Sequence, residues 1–120
     1  MMKRVMTVDD SASVRMMITY TLKGAGFEVV QAVDGADALE KLSETDIQAM
    51  IVDVNMPRMN GLEFVRKLRK IPGYLSTPII MLTTEAKDNL IEEGKQAGAN
   101  GWMVKPFSPE QLIEVIRSVT

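Results

Sequence analysis

Apolar, β-rich runs alternate with helix-spaced segments five times along this chain of 120 residues, and that alternation limits the fold more than any other feature of the sequence. Residues 3–8 form a short β-rich run. Residues 11–25 place Val14, Met17, Ile18, Thr21, Leu22 and Ala25 at helical spacing, and Gly24 and Gly26 suit the end of that helix. Residues 27–32 read as a second strand. Asp34 can cap a short helix carrying Ala38, Leu39 and Leu42. Residues 47–53 read as a third strand. Asn60-Gly61 opens a helix that turns Leu62, Val65 and Leu68 inward, and Pro72-Gly73 ends that region. Residues 78–82 and 102–105 read as strands four and five, separated by a weaker helix over 87–97 with Leu90 and Ile91 as its apolar contacts and Gly94 inside it. Ser108, Pro109 and Gln111 combine an N-cap, a first-turn proline and a capping box. The helix that follows should bury Leu112, Ile113, Val115, Ile116 and Val119. No linker, repeat or low-complexity stretch interrupts the pattern.

Five βα units imply a doubly wound α/β fold, a five-stranded parallel sheet with helices on both faces. The two more polar strand runs, 27–32 and 102–105, suit the edges. Sequential strands tend to be neighbours, which gives the order 2-1-3-4-5, with strands one and three adjacent and a chain reversal between them. In such a sheet the C-terminal strand ends share one edge, and ligands bind at the reversal. That edge collects Asp9 and Asp10, Asp53, Thr83 and Thr84, and Lys105.

Each residue also has an ordinary structural use. Asp10 can cap a helix, Asp53 can start a turn, Thr83 or Thr84 can cap the next helix, and Lys105 can sit in solvent before Pro106. Their coincidence at one edge favours a site. Two carboxylates about 4 Å apart repel by about 4 kcal/mol at an effective dielectric near 20. Three need a cation, which Lys105 supplies in part and a hard divalent ion such as Mg2+ supplies more fully. Asp53 can then act as a nucleophile toward phosphorus, with Lys105 and the Thr83 hydroxyl on the phosphoryl oxygens and Asp9 and Asp10 holding the metal.

Composition narrows the chemistry. Histidine and cysteine are both absent. That removes histidine-based triads, thiolate and His-ligated zinc, disulfides and internal phosphohistidine. A phosphoryl donor must therefore come from outside. A net charge of −2 gives no basic footprint for nucleic acid. No apolar run suggests a membrane span or a secretory signal, so a cytoplasmic protein is expected. Met50 and Met81 read as core filler. Met56 and Met59, flanking Pro57, fit either core or surface.

VDDS at 8–11, DVNMPRMNG at 53–61, LTTEAK at 82–87 and GANGWMVKPF at 98–107 resemble the receiver domains of bacterial response regulators over essentially the whole chain, and most closely the stand-alone, CheY-like chemotaxis members. The resemblance implies one receiver domain over residues 1–120 with no output domain, and the same 2-1-3-4-5 sheet. It implies Asp53 as phosphoacceptor. It also implies one Mg2+ ion held by Asp10, Asp53, the Asn55 carbonyl and, through water, Asp9. Lys105 contacts the phosphoryl group ahead of a cis Lys105–Pro106 peptide, Thr83 is the switch hydroxyl, and Asn55 and Glu85 tune dephosphorylation. The implied partners are a CheA-like histidine kinase, the flagellar motor switch protein or another phosphate-dependent target, and a phosphatase. The chain itself would be a monomeric switch, not an enzyme in its own right. Trp102 departs from the family's usual Tyr or Phe at the switch position. The alternatives are a phosphate sink or relay receiver, a Mg2+-dependent aspartyl-phosphate hydrolase, and a flavodoxin-like electron carrier. The hydrolase wants a general-acid aspartate where this chain has Asn55. The electron carrier wants a phosphate loop where this chain has DDSAS.

Overall fold

The computed structural model describes residues 2–56, 59–84 and 87–120. Among them, strands β1 (Arg4–Val8), β2 (Glu28–Ala32), β3 (Ala49–Asp53), β4 (Ile79–Thr83) and β5 (Gly101–Val104) alternate with helices α1 (Ala12–Gly24), α2 (Gly35–Leu42), α3 (Gly61–Leu68), α4 (Asp88–Ala97) and α5 (Pro109–Val119). All strand pairs are parallel, in the order β2-β1-β3-β4-β5. The order expected from strand polarity is therefore the one observed. β3 and β4 are buried at every position, whereas β2 and β5 are half-exposed edges.

Because successive strand residues face opposite sides, the sheet divides the interior into two cores. Met6, Val8, Met50, Val52 and Met81 pack with Ala38, Leu42, Phe64, Val65 and Leu68 of α2 and α3. Val5, Ala49, Ile51, Ile80 and Leu82 pack on the other side with Ile18, Leu22, Leu112 and Ile116 of α1 and α5. Central strands buried on both faces are near-continuously apolar, which is why β3 and β4 read as AMIV and IIML up to their terminal Asp53 and Thr83.

Local signals set the helix ends. Ser11 caps α1, with its side chain accepting from the Val14 N–H. Gly26, at φ 96°, lets the Gly26 and Phe27 N–H groups close back on the Lys23 and Leu22 carbonyls. Asp34 and Asn60 accept from the N–H groups of Asp37 and Glu63, and the Ser108–Gln111 capping box is reciprocal. α4 starts on Lys87 with no side-chain cap bond, so neither Thr83 nor Thr84 is its N-cap.

Two sequence expectations need correction, and one left open is decided. Ile113 does not join the core face of α5. It lines a surface depression with Glu110, Glu114 and Arg117, because Leu112 and Ile116 already fill the side toward the sheet. Met56 and Met59 resolve toward the interior: Met56 is buried and Met59 packs on the α2–α3 core. The third strand begins at Ala49, two residues later than expected, while Ile47 is buried as a loop residue.

Candidate functional site

Three carboxylates meet at the C-terminal ends of β1 and β3. One oxygen from each of Asp9, Asp10 and Asp53 lies within 4.8 Å of the others. Asp53 is the last residue of β3, and Asp9 directly follows β1, its paired neighbour. Parallel pairing of adjacent strands therefore brings together side chains 44 positions apart in sequence. Asp9 and Asp53 are only 1% and 4% exposed, whereas Asp10 faces solvent. With Ser11 occupying the cap position, Asp10 is left to the cluster.

Lys105 completes the arrangement from the end of β5. Its Nζ lies 3.2 Å from Asp9 Oδ2 and 3.4 Å from Asp53 Oδ1. The Lys105–Pro106 peptide is cis, as the resemblance implied. The Lys105 N–H donates to the Thr83 carbonyl at 2.7 Å. Thr83, 1% exposed, ends β4 one residue beyond Leu82, the register partner of Asp53. Thr84 is exposed.

Charge in this cluster is unbalanced. Burial, together with the neighbouring Asp9 carboxylate, pushes the Asp53 pKa up to about 6. Lys105 and a hydrogen bond from the Asn55 backbone N–H pull the other way without cancelling the rise. Three oxygen donors of one sign, too close to share their charge comfortably, match a hard divalent cation. The residues present thus fit the expected Mg2+, with Asp9, Asp10 and Asp53 as its holders.

Asn55 is exposed just past β3. Glu85 lies outside the described residues. Trp102 is not part of the carboxylate cluster; it packs on the α2–α3 core three residues before Lys105.

Two contributors escaped the sequence reading. Gly61 lies against the end of β3, where an added Cβ would overlap the Asp53 carbonyl oxygen, and its N–H donates to the Val54 carbonyl at 2.9 Å. Its signal was a glycine where a helix former would ordinarily sit. Arg15 donates from Nη1 to the Asp9 carbonyl at 2.6 Å and from Nε to Gln31 at 3.2 Å, bracing the loop that presents Asp9. Nothing local to Arg15 announced this.

Residues 5–117, which include all three aspartates and Lys105, match the family described as the response regulator receiver domain. The chain belongs to the response regulator receiver family. As a receiver domain it is similar to chemotaxis protein CheY1 of Helicobacter pylori, 41% identical over 118 residues, covering 97% of this chain and 95% of the relative. It is also similar to protein PilG of Pseudomonas aeruginosa, 36% identical over 117 residues, covering 96% and 85%. The solved structure of chemotaxis protein CheY4 of Vibrio cholerae superposes with a TM-score of 0.98 at 48% identity, covering all of both chains. The receiver fold is thus shared with a named CheY protein along the full length of this chain.

Proposed function

We propose that Asp53 accepts a phosphoryl group in a Mg2+-dependent reaction and that the resulting change of charge switches partner binding. The observation that carries this reading is one lysine held between two buried carboxylates, Asp9 at 3.2 Å and Asp53 at 3.4 Å, beside a third. An Asp53 oxygen attacks phosphorus. The P–N bond of a kinase phosphohistidine breaks, and the imidazole leaves with a proton. With a small acyl phosphate, the P–O bond breaks and a carboxylate leaves. Lys105 donates to one phosphoryl oxygen and the Thr83 hydroxyl to another. Mg2+ bound by Asp9, Asp10, Asp53 and the Asn55 carbonyl would supply positive charge to the phosphoryl oxygens. Water later attacks phosphorus, releases phosphate and returns the Asp53 carboxylate, with Asn55 and Glu85 setting how fast.

Phosphorylation takes the side chain from −1 to about −2 and draws Lys105 and Thr83 toward the new group. Trp102, on the strand that carries Lys105, is the route by which that shift reaches the outer face of β5. The receiver then acts as a cytoplasmic monomer that catalyses only its own phosphorylation and dephosphorylation. The donor is a CheA-like histidine kinase. The chemotaxis names carried by similar proteins support the flagellar motor switch protein as target. Service as a phosphate sink or relay is the competing output, and phosphate-dependent binding to the motor switch peptide separates the two.

The chemistry is tested with a radiolabelled small acyl phosphate and Mg2+. The native chain takes up label, Asp53→Asn takes up none, and chelating the metal stops uptake. Uptake by Asp53→Asn at the native rate would remove Asp53 from its role.

A further inference from the structure

Glycine in the middle of a helix weakens it, so a buried one asks for a reason. Gly94 lies inside α4 and is buried. Its backbone does not require glycine, because positive φ occurs at Gly26, Gly73 and Gly98 and not at Gly94. The reason lies on β5. A Cβ built on Gly94 would overlap Cζ2 of the Trp102 indole and would lie 3.0 Å from Cε2 and 3.1 Å from Nε1. The indole occupies the space that a side chain at position 94 would fill.

Among the described residues, the ring is held there by packing. Its Nε1–H is fully buried and finds no hydrogen-bond acceptor among the described residues. An indole anchored by a hydrogen bond would have a directional tie to its seat. Among the described residues this one has packing against α4 and the α2–α3 core, and a buried donor without an acceptor favours departure to water. Such a seat is sensitive to a single methyl group.

We propose that Gly94 is the positioning residue for Trp102: the missing side chain opens a notch in α4 that receives the indole and sets whether the ring lies against the helix or turns out to solvent. The larger aromatic on β5 and the smaller residue on α4 form a size-complementary pair. The seat itself is independent of phosphorylation. Its consequence for signalling rests on the Asp53 reading: residue 94 then tunes how much of the Trp102 population is inward before any phosphoryl group arrives.

Trp102 is the only tryptophan of the chain, so its emission reports the seat directly. The experiment uses metal-free protein without phosphodonor, which keeps its outcome separate from that of the Asp53 assignment. Gly94→Ala should move the emission to longer wavelength and raise acrylamide quenching severalfold. Urea unfolding supplies the second readout. Gly94→Ala should destabilise the protein when Trp102 is present and stabilise it in a Trp102→Ala background, where the helix gains a better former and loses the clash. Should Gly94→Ala alone fail to fold, Trp102→Ala must restore folding. Unchanged emission and quenching, the same sign of effect in both backgrounds, or a folding failure that Trp102→Ala does not rescue would each overturn the proposal.

Discussion

Asp53 combines a strand-end position with a charge that its surroundings disfavour. Burial and the Asp9 carboxylate raise its pKa from the ordinary 3.8 to about 6 in the folded chain. Between those values the folded state keeps a proton that the unfolded state has released, so stability owed to this group falls as pH rises through the window. A protein that lacks the charge escapes that loss. In metal-free buffer at pH 7.5, Asp53→Asn should therefore be more stable than the native chain by about 3 kcal/mol. The gap should shrink toward zero as pH is lowered to about 4. Urea unfolding of the two proteins across that range measures it, and a gap that stays flat with pH would contradict the assigned cause. The carboxylates and Lys105 were legible because each directly follows or ends an apolar run. Gly61 and Arg15 were not, since what they do is defined by atoms of other segments: the Asp53 carbonyl in one case, the Asp9 carbonyl in the other.

Elements were readable where their signals are local. The capping box of α5 and the glycines that end α1, Gly24 as its last residue and Gly26 just beyond, depend on residues within one turn, and the structure places them as expected. Edge and central strands were separable because burial on two faces leaves few polar positions. The contacts that join elements carry no such mark. Arg69, at the end of α3, sits in a run of basic residues that reads as a solvated face. Its guanidinium instead donates to the Gly98 carbonyl at 2.7 and 3.1 Å, to the Tyr74 carbonyl at 2.8 Å and to Asn100 Oδ1 at 2.9 Å. Asn100 Oδ1 also accepts from the Ile79 N–H at 2.8 Å, so one guanidinium ties α3 to the turn before β5 and to the start of β4. Its burial lowers the Arg69 pKa from its ordinary value, consistent with a group taken out of water. Arg69→Ala should cost about 2 kcal/mol of unfolding free energy through the acceptors left unpaired. Arg66→Ala, exposed on the same helix, should change stability by less than about 0.5 kcal/mol. Equal effects from the two substitutions in urea unfolding would mean that the tie is not structural.

At the scale of the whole molecule, a chain reversal between two adjacent parallel strands gathers acids from opposite ends of the first half of the sequence. That placement was legible in outline, since alternation and strand polarity fix the sheet order and the order fixes the edge. The seat of Trp102 was not, because it depends on the depth at which α4 lies over β5, which no spacing in the sequence encodes. A cation that binds the folded acidic edge and not the unfolded chain must stabilise the whole fold. At ten times its Kd, Mg2+ should raise the unfolding free energy by about 1.4 kcal/mol. Thermal melts with and without Mg2+ should show that gain in the native chain and most of it lost in Asp53→Asn; an equal gain in both would place the ion elsewhere.

The central claim is that Asp53 is the group that carries phosphate. The most direct measurement treats the protein with a small acyl phosphate and Mg2+, reduces the product with borohydride, and locates the modified residue by peptide mass spectrometry. Reduction of an aspartyl phosphate leaves homoserine, which is expected at position 53 and only when Mg2+ was present. Homoserine at another aspartate, or none anywhere under conditions where label is taken up, would contradict the account.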